Sequence, residues 1–314
     1  MKTRIAIGCL IQWYECDMVE DYIESLKEAV NKYDGEVLVD FTICTNQDLE
    51  KCTSPEQLIE CENKIIKKII ESGFKAYSTS KLITIADYRR NFNENYCEKA
   101  DVLMWGESDA ILPISTFIII DSLHQQVNHQ TPKYLTFFAT CKMWDDSWKP
   151  IEHIELTDKK RDTLAWYGSS YVMTKEEMNN LNSKVEDLDI RIVSPHKFNG
   201  CGLVISSEVI KSGVNIPKSV FFTHEDTSFQ HMTNKVLGNI PQYIIKNILL
   251  VHNRQHPKKR LYIANESGKT IKDRRMSSKW YEIAGKFSEL NAYNLFNPQY
   301  KSFSWEDVWK KLQS

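Results

Sequence analysis

Apolar and polar positions through residues 4–105 follow two alternating periods. Residues 4–10 form a short apolar run, and 17–30 place Val19, Tyr22, Ile23, Leu26 and Val30 on one face of a helix. The Asp34-Gly35 turn leads into 36–44, rich in Val, Ile and Phe, which reads as a second strand. Ser54-Pro55 opens a helix through residue 70, with Ser54 as its cap and proline tolerated in the first turn. Gly73 ends it, and 74–77 reads as a third strand. A helix over 85–98 and a strand over 101–105 follow. Strands separated by amphipathic helices predict βαβ units and a largely parallel sheet.

In such sheets ligands bind beyond the carboxyl ends of the strands. That directs attention to residues 12–15, to Thr45-Asn46 and to 106–109. The pattern after residue 130 is less regular. It predicts strands at 133–139, 166–173, 202–206 and 243–251, helices at 206–212 and 227–237, and a closing amphipathic helix at 305–312. Trp144, Trp148, Trp166 and Tyr167 read equally as aromatic platforms and as core residues. No repeat and no linker divides the chain, so the expectation is one α/β domain with a C-terminal extension.

Composition narrows the class. The chain has 314 residues with 40 Lys plus Arg against 42 Asp plus Glu, so it carries no overall basic footprint for nucleic acid or anionic lipid. Its 42% hydrophobic content argues against disorder. No stretch approaches the roughly 20 apolar residues of a membrane-spanning helix. The run at 5–11 enters Gln12-Trp13-Tyr14-Glu15 with no small-residue cleavage site, and so reads as a first strand rather than a signal peptide. Eight cysteines without a C-x-x-C pair point to a reducing cytoplasm, no disulfide framework and no cysteine-zinc site.

Three segments carry candidate chemistry. In Trp105-Gly106-Glu107-Ser108-Asp109 an apolar strand runs into two carboxylates one residue apart, which can both reach a hard divalent cation. In His224-Glu225-Asp226-Thr227 adjacent acids precede an amphipathic helix; Asp226 or Thr227 can cap it, and a carboxylate there can serve as a general base. In Leu250-Val251-His252-Asn253 a histidine ends an apolar strand, where neutral imidazole can ligate a metal. Each has an ordinary structural explanation, as a solvated turn, a helix start and a packed ring. Their order along the chain changes the picture.

The sequence resembles the GT-A glycosyltransferases, and is most similar to the family-2 type of nucleotide-sugar transferases. The segment 5–10 and the helix after it resemble that family's first strand, nucleotide loop and first helix. Asp87-Tyr88-Arg89-Arg90-Asn91 resembles its helix with an Arg-Asn pair, and Glu107-Ser108-Asp109 followed by Ile111-Leu112-Pro113 its D-x-D segment. Asn199-Gly200-Cys201-Gly202 resembles its small-residue acceptor segment, His224-Glu225-Asp226 its E-D motif, and His252 its late metal-binding histidine. The likeness covers about residues 4–255 in the family's order. Two departures stand out: Glu107 replaces an aspartate, and Cys44-Thr45-Asn46-Gln47 lacks the acid that helps hold the nucleoside.

The resemblance implies a single GT-A domain: a mostly parallel, Rossmann-like sheet flanked by helices, with a small C-terminal helical extension. It implies a core at 1–255, with a nucleotide-sugar half at about 1–113 and an acceptor half at about 114–255, then a basic loop and helical extension at 256–314. The implied activity is transfer of a sugar from a nucleotide-sugar, UDP-sugar favoured, to an acceptor hydroxyl with Mn2+ or Mg2+. Asp109, Glu107 and His252 would hold the metal. Asp226 would be the base of an inverting displacement, with Glu225 orienting it or the acceptor; retention uses the same fold. Gln12, Trp13, Tyr14, Thr45, Asn46, Arg90 and Arg254 would serve the donor. Nine Lys or Arg between 254 and 279 would fold over a diphosphate, line a surface or meet a polyanion. The expected acceptor is a glycan or surface polysaccharide, with a hydroxylated or hydroxymethylated DNA base as alternative. A sugar nucleotidyltransferase or an inactive sugar-binding protein are rival readings, the former disfavoured because Gly8 stands alone where a glycine-rich phosphate loop belongs.

Overall fold

A computed structural model describes residues 1–49, 51–52, 54–142, 174–193, 200–252 and 279–314. Its first strand, β1 (Ile5–Gln12), sends Ile5, Ile7, Cys9 and Ile11 to one face and Ala6 and Leu10 to the other. Both faces are covered by helices, which is why the strand reads as a continuous apolar run. One layer holds α1 (Val19–Lys32), α2 (Pro55–Glu71) and α4 (Thr116–Val127); the other holds α3 (Ile85–Tyr96), α6 (Ser207–Lys211) and α7 (Glu225–Leu237). On α1 the buried residues Val19, Tyr22, Ile23 and Leu26 recur at helical spacing, and each such side chain contributes roughly 2 kcal/mol. Ser54 caps α2 through the Gln57 N–H, with Pro55 in its first turn.

The remaining strands are β2 (Val37–Cys44), β3 (Tyr77–Thr79), β4 (Val102–Trp105), β5 (Ala110–Ile111), β6 (Leu135–Lys142), β7 (Ile190–Val193), β8 (Val204–Ser206) and β9 (Gln242–His252). They form one sheet in the order β3-β2-β1-β4-β8-β6-β9-β5, with β7 also paired to β9. Strands β1 to β4, β6 and β9 run one way, whereas β5, β7 and β8 oppose them. The sheet is therefore mostly parallel. The carboxyl ends of β1, β2, β4 and β9 lie along one rim.

Several boundaries differ from the sequence reading. The third strand starts at Tyr77 because the Phe74 N–H still bonds the Ile69 carbonyl and closes α2, with Gly73 in the left-handed region. Helix α7 starts at Glu225, so Asp226 lies inside its first turn; the cap is His224, at φ 64°. Helix α4 escaped the sequence reading because Phe117-Ile118-Ile119-Ile120 is an unbroken apolar run that fits a buried strand as well as a helix. Helix α5 (Lys175–Asn182) and strands β5 and β7 were likewise not foreseen. The expected strand at 166–173, the tryptophans at 144, 148 and 166, and the basic stretch up to residue 278 lie outside the described residues.

Two C-terminal helices, α8 (Lys279–Tyr293) and α9 (Trp305–Gln313), close over the segment before α7. Phe221, Ala284 and Val308 form a small apolar core there, and Phe221 and Phe222 meet Trp305 edge to face. Asn291 donates to the Ser219 carbonyl at 2.7 Å and Ser288 to that of Thr223 at 2.5 Å. These contacts fix the backbone that enters Glu225 and Asp226. Among the described residues no helix is long and apolar enough to cross a membrane.

Candidate active site

The turn after β4 begins with a backbone constraint. The Gly106 N–H bonds the Gly8 carbonyl at 2.7 Å, and a Cβ on Gly106 would meet the Tyr22 hydroxyl at 2.1 Å. Only glycine fits, so the chain passes close to β1 before turning out through Glu107, Ser108 and Asp109. The Ser108 hydroxyl and the Gln12 N–H both donate to Glu15 Oε2, at 2.7 and 2.9 Å. A buried carboxylate thereby ties this turn to the end of β1. Strand β5 then pairs antiparallel with β9, setting Ala110 opposite His252. That register brings Asp109 to the histidine.

His252 Nε2 lies 2.7 Å from Glu107 Oε2 and 3.3 Å from Asp109 Oδ1. The ring is 4% exposed, and among the described residues neither of its nitrogens makes a hydrogen bond of acceptable geometry. His252 Nε2 thus stands close to one oxygen of each carboxylate. Two carboxylates and an imidazole arranged this way suit a divalent cation. Burial opposes the charge on His252, but its acidic neighbours Cys201, Glu107 and Asp109 outweigh it and hold the histidine well above its ordinary pKa. Burial likewise works against ionised Glu107, yet His252 and Arg89 hold it well below the usual carboxylate range. The cluster favours separated charge, and a cation with neutral His252 would satisfy the same field.

Arg89 joins this cluster to the start of α7. Its guanidinium is 1% exposed and binds Glu107 at 2.7 Å, Glu225 at 2.5 Å and the Gly200 carbonyl at 3.1 Å. It also lies 4.8 Å from the Trp105 ring, whose N–H bonds Asn93 on α3. Burial and the neighbouring carboxylates outweigh Arg89 at Glu225 and push its pKa up to about 7. Asp226 follows, half-buried, accepting the Thr227 N–H at 2.7 Å, and its charge reaches both Arg89 and Glu225. Glu107, Asp109, His252, Glu225 and Asp226 thus come from three distant segments into one electrostatic cluster at the rim.

The other expected residues divide. Thr45 closes onto the Thr79 carbonyl through both its N–H and its hydroxyl, and Asn46 reaches the Ser80 carbonyl, so both line the rim beside β3. The Gln12 side chain reaches the Ile83 carbonyl at 3.5 Å. Trp13 is packed in the core at 3% exposure, which leaves half-buried Tyr14 as the accessible aromatic of that pair. Arg90 turns away from the cluster: it bonds the carbonyls of Ile216, Pro217 and Val220 and the Asp87 carboxylate. Its neighbour Arg89 takes the place at the carboxylates. Arg254 lies outside the described residues.

Arg89, Glu15 and Cys201 stood within segments noted from sequence but were given no role there. Arg89 had a signal, since it shares a helical stripe with buried Ala86 and Asn93, where a surface arginine does not belong. Glu15 had none beyond its nearness to β1.

No protein-family model and no curated protein matches the chain. Among solved structures it is similar to residues 1–349 of TarS from S. aureus, at 10% identity and TM-score 0.45, covering 94% of this chain and 72% of that one. It is similar also to glucosyl-3-phosphoglycerate synthase from Mycobacterium tuberculosis with Mg2+ and UDP, at 14% identity and TM-score 0.44, covering 83% and 74%. A third similarity is to a mycobacterial protein, at 11% identity and TM-score 0.48, covering 93% and 74%.

Proposed function

We propose that this chain is a GT-A type, divalent-metal-dependent glycosyltransferase that moves a sugar from a nucleotide-sugar to an acceptor hydroxyl. The observation that carries the reading is the meeting of Glu107, Asp109 and His252 at the carboxyl rim of the sheet, with Arg89 linking them to Glu225 and Asp226. A metal there would neutralise a diphosphate and stabilise the charge of the leaving nucleotide. The loop at 12–15 and Thr45-Asn46 flank that position on the side where a nucleoside would lie, with Tyr14 as its aromatic contact.

Asp226 acts as the base in this reading. It takes the proton of the acceptor hydroxyl as that oxygen attacks the anomeric carbon from the face opposite the leaving diphosphate, which inverts the centre. Glu225 holds its place through Arg89 and sets the orientation of the first turn of α7. The donor favoured is a UDP-sugar and the acceptor a glycan hydroxyl. TarS has been crystallised with UDP-GlcNAc, and the mycobacterial synthase with UDP-glucose, Mn2+ and phosphoglyceric acid.

Incubation with labelled UDP-, GDP-, CMP- and dTDP-sugars, with Mn2+ or with chelator, tests the reading. Metal-dependent release of sugar from one donor class is the expected result. Failure of every donor to bind in the presence of metal would leave a non-enzymatic role.

A further inference from the structure

Cys201 lies in the same cluster and has no part in the reaction just described. Among the described residues, Glu107, Cys201 and His252 present ligand atoms that all lie within 4.8 Å of one another. Donors roughly 2.0–2.3 Å from one ion stand about 3.3–3.8 Å apart when tetrahedral, so the widest of these spacings would close by about 1–1.5 Å on binding. Cys201 is 2% exposed, so its thiol is shielded from solvent beside these two groups. The turn that carries it is fixed on both sides. The Gly202 N–H bonds the Trp105 carbonyl at 2.9 Å, and the Trp105 N–H bonds that of Leu203 at 2.9 Å. Gly202 sits at φ +71°, where a Cβ would also meet Leu250 at 2.6 Å; a Cβ on Gly200 would meet Arg89 at 2.0 Å. Two glycines that cannot carry side chains hold one buried thiol against a histidine whose nitrogens lack hydrogen bonds.

We propose that Cys201 is a thiolate ligand of the metal centre, completing the set Glu107, Asp109 and His252 and shifting its preference from Mg2+ towards Zn2+ and Co2+. The inference rests on the metal-centre reading above and deepens it. Carboxylates alone suit hard cations, and thiolate is a soft donor that Mg2+ binds poorly. On binding, the thiol releases its proton to solvent as the sulfur–metal bond forms. Two carboxylates and one thiolate carry three negative charges; the divalent ion offsets two, and Arg89, shared with Glu225, offsets part of the third. The sequence hides this site because its cysteine stands alone between glycines, without the paired spacing that marks a cysteine-metal motif.

The test is Co2+ loading of the full chain, read by absorption, alongside calorimetric titration with Zn2+ and Mg2+. The wild type should bind one Co2+ with a thiolate-to-cobalt charge-transfer band in the near ultraviolet. In Cys201→Ser and Cys201→Ala that band should vanish while the visible cobalt bands persist, and the Zn2+-over-Mg2+ affinity ratio should fall at least about tenfold. Wild-type Co2+ binding without the band overturns the ligand assignment and leaves the carboxylate-histidine centre standing. So does a band that survives in Cys201→Ser, which would place it on one of the other cysteines. Absence of Co2+ binding by the wild type overturns the metal centre itself, and this proposal with it.

Discussion

Arg89 balances the charge of the site. A guanidinium with 1% exposure has given up its water, and it meets that cost with Glu107, Glu225, a backbone carbonyl and the face of Trp105. Arg89→Met would leave two carboxylates without their cation, and should lower stability by about 3–5 kcal/mol in denaturant titration. At Asp226 the expectation concerns turnover. Asp226→Asn should lower kcat by about 10²–10⁴-fold while donor KM stays nearly constant, since the amide keeps the shape and cannot take a proton. Unchanged kcat would remove Asp226 as base. Glu225 supplies a pH signature. Its folded-state pKa of about 7 lies above the ordinary carboxylate value of 4.5, so the folded chain holds this proton more tightly than the unfolded one. Its contribution is therefore fully present below about pH 4.5 and is lost as pH rises through about 7. In chelator, the wild-type Tm should fall relative to that of Glu225→Gln between pH 5 and 8, a window of about three units above the ordinary glutamate pKa. Parallel Tm curves for the two proteins would contradict the assignment.

At the scale of elements, the site depends on where segments end. Strand β9 was legible from its apolar run, and so was the place of His252 at its last position. The two-residue strand β5 was not. Too short for any period to show, it forms only because β9 offers an antiparallel edge, yet it sets Asp109 beside the histidine. The turn before β8 works in the same way, holding Cys201 between two sterically restricted glycines. Gly200→Ala should force Arg89 off at least one of its carboxylates, lowering Tm and weakening Mn2+ binding together, as calorimetry on the folded variant would show. A variant with wild-type Mn2+ affinity would separate the turn from the site. Start positions matter as well. The sequence pattern began α7 at residue 227, whereas the left-handed His224 starts it at Glu225 and puts both acids in the first turn. Sequence reasoning also placed an arginine of α3 at the site but chose Arg90. Adjacent helix positions differ by about 100° in direction, and only packing decides which of the two meets the carboxylates.

At the scale of the whole molecule, one sheet gathers residues 107–109, 201, 225–226 and 252 at a common rim, with helices burying both faces behind them. The helices α8 and α9, expected only as an appendage, brace the segment that delivers Glu225 and Asp226. A cation bound at the rim joins β4, β5 and β9, so it should stabilise the fold as a unit. Saturating Mn2+ at 100 times its Kd should add about 2.7 kcal/mol to the unfolding free energy. The accompanying Tm rise should disappear with chelator and in His252→Ala. A rise that persists in His252→Ala would locate the ion elsewhere.

The sequence by itself determined the α/β class, the near-continuous apolar strands, the order of the acidic and histidine segments, and the rim at which ligand chemistry belongs. These follow from periodicity and residue type, which are local. Only the tertiary structure decided that Glu107 meets His252, that Arg89 rather than Arg90 joins the carboxylates, and that Cys201 stands among them. Each of those facts depends on strand register, helix phase or the close approach of glycines. They arise from contacts between distant segments, such as Arg89 with Glu225, 136 positions on, and Glu107 with His252, and no local pattern encodes them.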